Sequence, residues 1–184
     1  MRIIAGKYKG RPLSTVHNLS IRPTTDRAKQ TIFDMLSNRI EFSGARVLDL
    51  FAGSGSLGLE ALSRGAAFVV FVEKARSSLD VLEKNIRYLD CADQCRVHQA
   101  DVFWYLKNTQ QAFDLIFVDP PYKLETIGTL PNAIYNSKVV HPETYIVMEH
   151  SKESVIDLDE QKFDIIKKLF GQTVAIILKV RTTS

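Results

Sequence analysis

A chain of 184 residues that is 45% hydrophobic and 24% charged has enough apolar material for one domain with a sizeable core, and its composition excludes a disordered or fibrous protein. No apolar run approaches the roughly 20 residues that cross a bilayer, and the N-terminus carries charge but not the apolar segment of a secretory signal, so a cytoplasmic location is expected. The net charge of +3 hides an asymmetry: residues 1–29 hold seven Lys or Arg against one acid, Asp26, which suits either a polyanionic partner or a plain solvated basic arm.

Residues 2–16 read as a β-hairpin or extended arm. Arg2-Ile3-Ile4-Ala5 and Arg11-Pro12-Leu13 flank a turn bracketed by Gly6 and Gly10. Lys7, Tyr8 and Lys9 alternate charge with a ring, a pattern that can follow phosphates and stack a base. Arg22-Pro23-Thr24-Thr25-Asp26-Arg27 then opens a helix, with Thr24 or Thr25 as its N-cap. Ala28, Thr31, Ile32, Met35 and Leu36 repeat at helical spacing to about Asn38. Residues 1–40 are expected to form a basic extension, and 41–184 the main domain.

From Arg46 onward strands and helices alternate. Strands are expected near 46–51, 67–73, 95–99, 113–118 and 143–149, and helices near 56–64, 76–89, 101–108 and 125–136. Apolar runs such as Phe68–Val72 suit a parallel sheet covered on both faces. Residues 151–161 are polar and read as loop with a short helix. Lys162–Leu169 and Thr173–Val180, around Phe170-Gly171-Gln172, read as a hairpin. The expected fold is α/β and Rossmann-like: a mostly parallel seven-stranded sheet with a C-terminal antiparallel hairpin and helices on both faces. Phe103, Trp104 and Tyr105 should pack their helix against the sheet. Cys91 and Cys95 read as reduced structural thiols. His17, His98, His141 and His150 lack ligand spacing and read as structural or surface residues, so no metal site is expected.

Two motifs carry chemistry. The first is Val47–Leu62: a short apolar strand with Asp49 inside it, a turn at Gly53 and Gly55, and a helix from about Ser56. The glycines allow a sharp turn and close approach to a ligand, and the helix aims free N–H groups at it. Gly53-x-Gly55-x-x-Gly58 with Glu73 at the end of the next strand also satisfies the dinucleotide fingerprint, so an NAD-dependent dehydrogenase is one reading. Asp49 inside the first strand, and the small space left for a substrate domain, argue against it. S-adenosylmethionine fits better. Its amino-acid end would meet the glycine turn, with Phe51, Ala52 and Ser54, and Asp49 through water. Its ribose diol would meet Glu73, beside Lys74. Its adenine would lie near Ala100 and Asp101. Each acid has a plainer alternative: Asp49 as a loop cap, Glu73 as an exposed strand end, Asp101 as a helix N-cap. The second motif is Asp119-Pro120-Pro121-Tyr122, directly after the apolar run Phe113–Val118. A carboxylate can accept from an exocyclic amine, prolines stiffen the backbone, and a ring can stack on a flat base.

Asp49-x-Phe51-x-Gly53-x-Gly55, Glu73, Asp101 and Asp119–Tyr122 together resemble class I S-adenosylmethionine-dependent methyltransferases acting on exocyclic amines. Arg2-Ile-Ile-Ala-Gly6, Lys9-Gly-Arg11, Arg22–Arg27, Ala52–Arg64 and Phe117–Tyr122 narrow this resemblance to the RsmD family, the 16S ribosomal RNA guanine-N2 methyltransferases of bacteria, over Arg2 to about Val180. The resemblance implies methyl transfer to a guanine N2 amine of 16S ribosomal RNA within an assembled or assembling small subunit, with Asp119, Pro120, Pro121 and Tyr122 at the reacting amine; a monomer is the simplest expectation for the oligomeric state. Arg22 and Thr24 would close over the cofactor's carboxylate or touch RNA phosphate. Arg2, Lys7, Tyr8, Lys9, Arg11, Arg27 and Lys29 would face RNA. Gln30 stands where the family usually has Glu, and no role is assigned to it. The nearest alternative activity is an adenine-N6 methyltransferase on DNA or RNA, because the Asp119 motif fits either amine.

Overall fold

The computed structural model describes residues 1–15, 26–121, 124–170 and 172–181. Its frame is a seven-stranded sheet of β1 (Arg46–Leu50), β2 (Phe68–Glu73), β3 (Cys95–Gln99), β4 (Leu115–Val118), β5 (Tyr145–Ser151), β6 (Phe163–Phe170) and β7 (Thr173–Val180), in the order β3-β2-β1-β4-β5-β7-β6. β1 to β5 are mutually parallel, and β7 runs antiparallel to both β5 and β6. This is the expected architecture. The direction of winding reverses between β1 and β4, which lie side by side with Leu50 opposite Val118. At such a switch point the loops leaving two neighbouring strands diverge to opposite faces and open a crevice.

Helices α1 (Asp26–Ser37), α2 (Ser56–Ser63) and α3 (Arg76–Leu89) pack one apolar cluster on one face, and α4 (Val102–Asn108) and α5 (Leu130–Tyr135) pack another on the opposite face. Helix α3 shows why the sequence folds this way. Leu79, Leu82, Ile86 and Leu89 form one buried stripe at 3–4-residue spacing, and the helix stops where Asp90 turns left-handed at φ 54°.

Residues 1–15 form the short arm expected: around one antiparallel bridge, Arg2 to Pro12, Ile3 N–H bonds the Arg11 carbonyl (3.0 Å), Gly10 N–H the Ile3 carbonyl (2.9 Å) and Leu13 N–H the Met1 carbonyl (3.0 Å), and Ile3, Tyr8 and Leu13 lie in the same cluster as Val47, Leu59 and Phe117. Residues on both sides of the expected 40/41 boundary therefore share a core. Two expectations fail locally. Residues 151–161 contain no helix: between turns at 152–153 and 160–162 the chain is loop, tied by tertiary bonds from Lys152 N–H to the Gln172 carbonyl and from Asp157 N–H to the Gly128 carbonyl. Trp104 does not pack on the sheet. Val102, Tyr105 and Leu106 occupy the inward face of α4, and Trp104 projects from the other side, 60% exposed. Among the described residues no helix is long and apolar enough to cross a membrane.

Every residue of α2 is buried, including Ser56, Glu60 and Ser63. Buried polar groups must be partnered inside the protein, and here the N-terminal segment and α1 supply the partners. The Glu60 carboxylate accepts from the backbone N–H groups of Ile4 (2.7 Å) and Ala5 (3.0 Å) and from Arg64 Nε (2.9 Å), and it lies 3.4 Å from Lys29 Nζ. Lys29 Nζ also donates to the Arg2 carbonyl (2.7 Å) and Ser56 Oγ (3.1 Å). Tyr8 N–H donates to Ser63 Oγ (2.9 Å), and Lys7 N–H to the Ser63 carbonyl (2.7 Å), closing the C-terminal end of α2. Replacing Glu60 with Leu strips four donors of their acceptor and leaves Lys29 buried without its counter-charge. Glu60→Leu is expected to lower unfolding free energy by about 3–5 kcal/mol in urea titrations, more than Lys29→Met, because after the latter Glu60 keeps Arg64 and both N–H groups.

Candidate active site

The turn after β1 is built from unusual backbone. Phe51 (φ 59°), Gly53 (φ 54°) and Gly55 (φ 80°) all have positive φ. For a bulky residue such as Phe51 that conformation is strained, and such strain clusters where a loop is shaped for a ligand. A Cβ on Gly58 would sit 2.4 Å from Phe71 Cε1 and 2.8 Å from Val69 Cγ1, so only glycine lets α2 close onto β2.

Two carboxylates hold this turn. Asp49, on β1 and 2% exposed, accepts from Gly58 N–H at 2.9 Å, in the first turn of α2. Glu73, at the end of β2, accepts from Gly53 N–H (2.9 Å) through one oxygen and from Lys74 and Ala75 N–H (2.9 and 2.8 Å) through the other. Burial pushes the Asp49 carboxyl well above the usual carboxylate range. The Gly58 N–H opposes that rise, while the negative charges of Asp119 and Glu73 add to it. The crevice thus concentrates acid beside a glycine turn. That environment fits a cofactor with positive charge at one point and hydroxyls at another, since Glu73 keeps acceptor capacity beyond its three N–H donors.

Asp119 and Pro120 directly follow β4, which pairs with β1 in parallel, so the glycine turn and the Asp119 turn leave adjacent strand tips. Asp119 is half-buried, Pro120 buried and Pro121 exposed, and the Pro121 carbonyl accepts from Leu124 N–H at 3.0 Å. Asp101 N-caps α4, accepting from Phe103 N–H (3.0 Å) and Trp104 N–H (3.3 Å), and its other oxygen lies 3.6 Å from Lys74 Nζ. The capping job read as the plain alternative is therefore present, at a strand tip two strands from β1 in the sheet. Ala100 N–H donates to the Glu73 carbonyl at 3.1 Å, tying that tip to β2. Arg22, Thr24 and Tyr122 lie outside the described residues, as do Thr25, His17 and Gly171.

Two residues expected to face RNA do not. Lys29 is fully buried and paired with Glu60, because the inward stripe of α1 places it over α2. Tyr8 is 3% exposed, its ring covered by Lys7 Nζ (5.0 Å) and Arg11 Cζ (5.4 Å), so it offers no free face for stacking. Arg2, Lys7, Lys9, Arg11 and Arg27 are exposed, with Arg2 near Asp26 at 3.4 Å. Asn85 is a residue that spacing arguments miss. Buried on α3, it donates to the carbonyls of Ser14 and Ser54 (both 3.0 Å) and accepts from Ser14 N–H (2.8 Å), joining the N-terminal segment to the glycine turn. Its one signal in the sequence is an amide inside the apolar stripe of α3.

The model of a family described as conserved hypothetical protein 95 matches residues 1–179. The chain is 37% identical to YlbH of Bacillus subtilis over 187 aligned positions, covering 98% of this chain and 100% of the relative. It is 33% identical to ribosomal RNA small subunit methyltransferase D of Buchnera aphidicola, covering 98% and 93%. Among solved structures, the yhhF protein of Escherichia coli superposes with a TM-score of 0.88 at 31% identity, over 100% of this chain and 99% of that one.

The raised Asp49 proton affinity has a consequence for stability. A carboxyl that holds its proton more tightly in the folded than in the unfolded chain loses stability for the protein as pH rises from the ordinary carboxylate value of about 3.9 through the higher folded value. Asn at this position keeps an oxygen for Gly58 N–H and removes the ionisation. Asp49→Asn is therefore expected to melt progressively higher than the parent protein as pH is raised from about 4 to about 8. Thermal unfolding across that range checks this, and parallel curves would refute it.

Proposed function

The chain belongs to the RsmD family, and from that membership and the crevice geometry we propose that it methylates the exocyclic N2 amine of a guanine in 16S ribosomal RNA, using S-adenosylmethionine. The observation that carries the reading is the juxtaposition across β1 and β4: an acidic glycine turn on one strand tip and Asp119-Pro120-Pro121 on the next. Ribosomal RNA as substrate follows from the relatives named for it.

S-adenosylmethionine supplies an electrophilic methyl group on a sulfonium sulfur. The negative field of Asp49, Glu73 and Asp119 favours that cation. In this reading the turn from Phe51 to Gly55 cradles the amino-acid end, and Glu73 accepts from the ribose hydroxyls beside Lys74. Ala100 and Asp101 border the adenine, and Arg22 and Thr24 close the carboxylate end.

The guanine amine is a weak nucleophile because its lone pair is delocalised into the ring. Asp119 accepts a hydrogen from that amine, with the Pro120 carbonyl as second acceptor. This turns the lone pair toward the methyl group and stabilises positive charge growing on nitrogen. Positioning of this kind can supply about 7–11 kcal/mol. Tyr122 stacks on the base. The base must be unpaired or turned out of its helix, at a cost of a few kcal/mol. The amine loses its proton after transfer, so no strong base is needed.

The exposed Arg2, Lys7, Lys9, Arg11 and Arg27 make residues 1–40 the RNA-facing part, holding phosphates while the base enters the crevice. A small subunit, assembled or assembling, fits as substrate because it presents one guanine in a fixed shape. The protein acts as a monomer. In the adenine-N6 alternative the same carboxylate would grip a different amine, so the modified nucleoside separates the two.

Labelled methyl transfer to small subunits and to bare RNA, both from cells lacking this protein, followed by mass spectrometry of the nucleosides, tests the proposal. N2-methylguanosine is the expected product, and N6-methyladenosine would overturn it. Asp119→Ala should cut turnover by at least about a hundredfold, while S-adenosylmethionine, still met by the glycine turn and Glu73, continues to raise the melting temperature by a smaller amount than in the parent protein. Near-normal methylation by that variant would sink the assigned role.

A further inference from the structure

His150 lies beside the crevice and has no part in the roles assigned so far. Strands β4 and β5 are paired up to Val118 and Met148, and each chain runs on by two residues, to Pro120 and His150. His150 borders a cleft of about 10 Å³ together with Asp119, Pro120, Ile127, Glu149, Ser151 and Thr173. That volume admits one donor group, not a whole ring.

The state of the imidazole follows from its contacts. Nδ1 is 2.7 Å from the Ser151 carbonyl oxygen, which can only accept, so Nδ1 carries the hydrogen and donates. Burial lowers the proton affinity of the ring and nearby Lys167 lowers it further, against the Ser151 bond, so the ring is neutral at physiological pH. Nε2 then presents a lone pair. The residue is 9% exposed, and Nε2 is buried without a hydrogen-bond partner among the described residues. A buried acceptor left unmatched is uncommon and costs stability.

The chemistry of the base edge says what could match it. On the Watson–Crick edge of guanine, the 2-amine is followed by N1–H, a donor. On adenine, the 6-amine is followed by N1, a bare acceptor. We propose that His150 Nε2 accepts the N1–H of the target guanine while Asp119 holds its amine, which makes His150 a specificity-determining residue. Adenine in the same pose would bring lone pair against lone pair. Nε2 is covered in this structure, so the inference requires the Asp119–Pro121 turn to shift outward when the base enters. The inference rests on the guanine-N2 reading above.

The test is a double exchange of protein and base. Once the methylated position has been mapped, small-subunit RNA is built by splinted ligation with either guanine or 2-aminopurine there. 2-Aminopurine keeps the 2-amine and has a bare N1. The parent protein, His150→Phe and His150→Met are compared, each first shown to give the S-adenosylmethionine thermal shift. Any intrinsic difference in amine reactivity cancels in the comparison, so the readout is how the guanine to 2-aminopurine rate ratio changes between proteins. The expected result is a ratio that falls about tenfold on losing the His150 acceptor, in whichever of the two variants folds. An unchanged ratio in a folded variant overturns the inference and leaves guanine methylation standing. A parent protein that forms N6-methyladenosine overturns both.

Discussion

An eight-residue helix with no exposed residue carries a carboxylate and two hydroxyls, and all three must be satisfied by the protein itself. That constraint organises the N-terminal third of the molecule. Glu60 draws in the backbone of Ile4 and Ala5, the Arg64 side chain and the buried ammonium of Lys29. Ser63 takes the Tyr8 N–H and donates to the Ala5 carbonyl at 2.5 Å. A basic segment that could have trailed in solvent is thereby seated along α2, and α1 is seated with it. The opposite end of α2 is the glycine turn, so the network that fixes the helix also fixes one wall of the crevice.

The crevice itself is electrostatically unfavourable by itself. Asp49 is buried within reach of the fields of Asp119 and Glu73, and its proton affinity rises accordingly. A protein selected only for stability would place an apolar residue there. The arrangement makes sense if a cation completes it, since a positive charge converts three repelling acids into a binding site. The strained Phe51 backbone points the same way: local cost is tolerated where geometry must suit a ligand. Asn85 and Glu73 then act as struts, tying the turn to α3, to the N-terminal segment and to the tip of β2.

The order and type of nearly all elements were legible in the sequence, because apolar periodicity is local. Runs such as Phe68–Val72 and Leu115–Val118 announce buried strands, and the 3–4 spacing in α3 announces its helix. The two motifs were legible for the same reason, since each is a strand end and the few residues beyond it. The misreadings share one cause. Tyr8, Lys29, Trp104 and the polar stretch 151–161 were judged by residue type, and type does not say which face meets the core or what waits there. A lysine reads as solvent-facing until Glu60, thirty-one positions later, is found against it. A polar run reads as loop with a short helix until Gln172 and Gly128 bond to it.

The sequence by itself determined the sheet, its helical layers and the position of the motifs Gly53–Gly58 and Asp119–Tyr122 just beyond strand ends, all of which depend on contacts between near neighbours in the chain. Only the tertiary structure decided which charges are buried and paired, and that β1 and β4 stand side by side so that the turns after them leave adjacent strand tips. It also decided that a histidine from β5, with an unmatched nitrogen, borders a small cleft beside Asp119 and Pro120. Those outcomes turn on burial and on hydrogen-bond satisfaction between residues distant in sequence, which strand and helix periods do not encode.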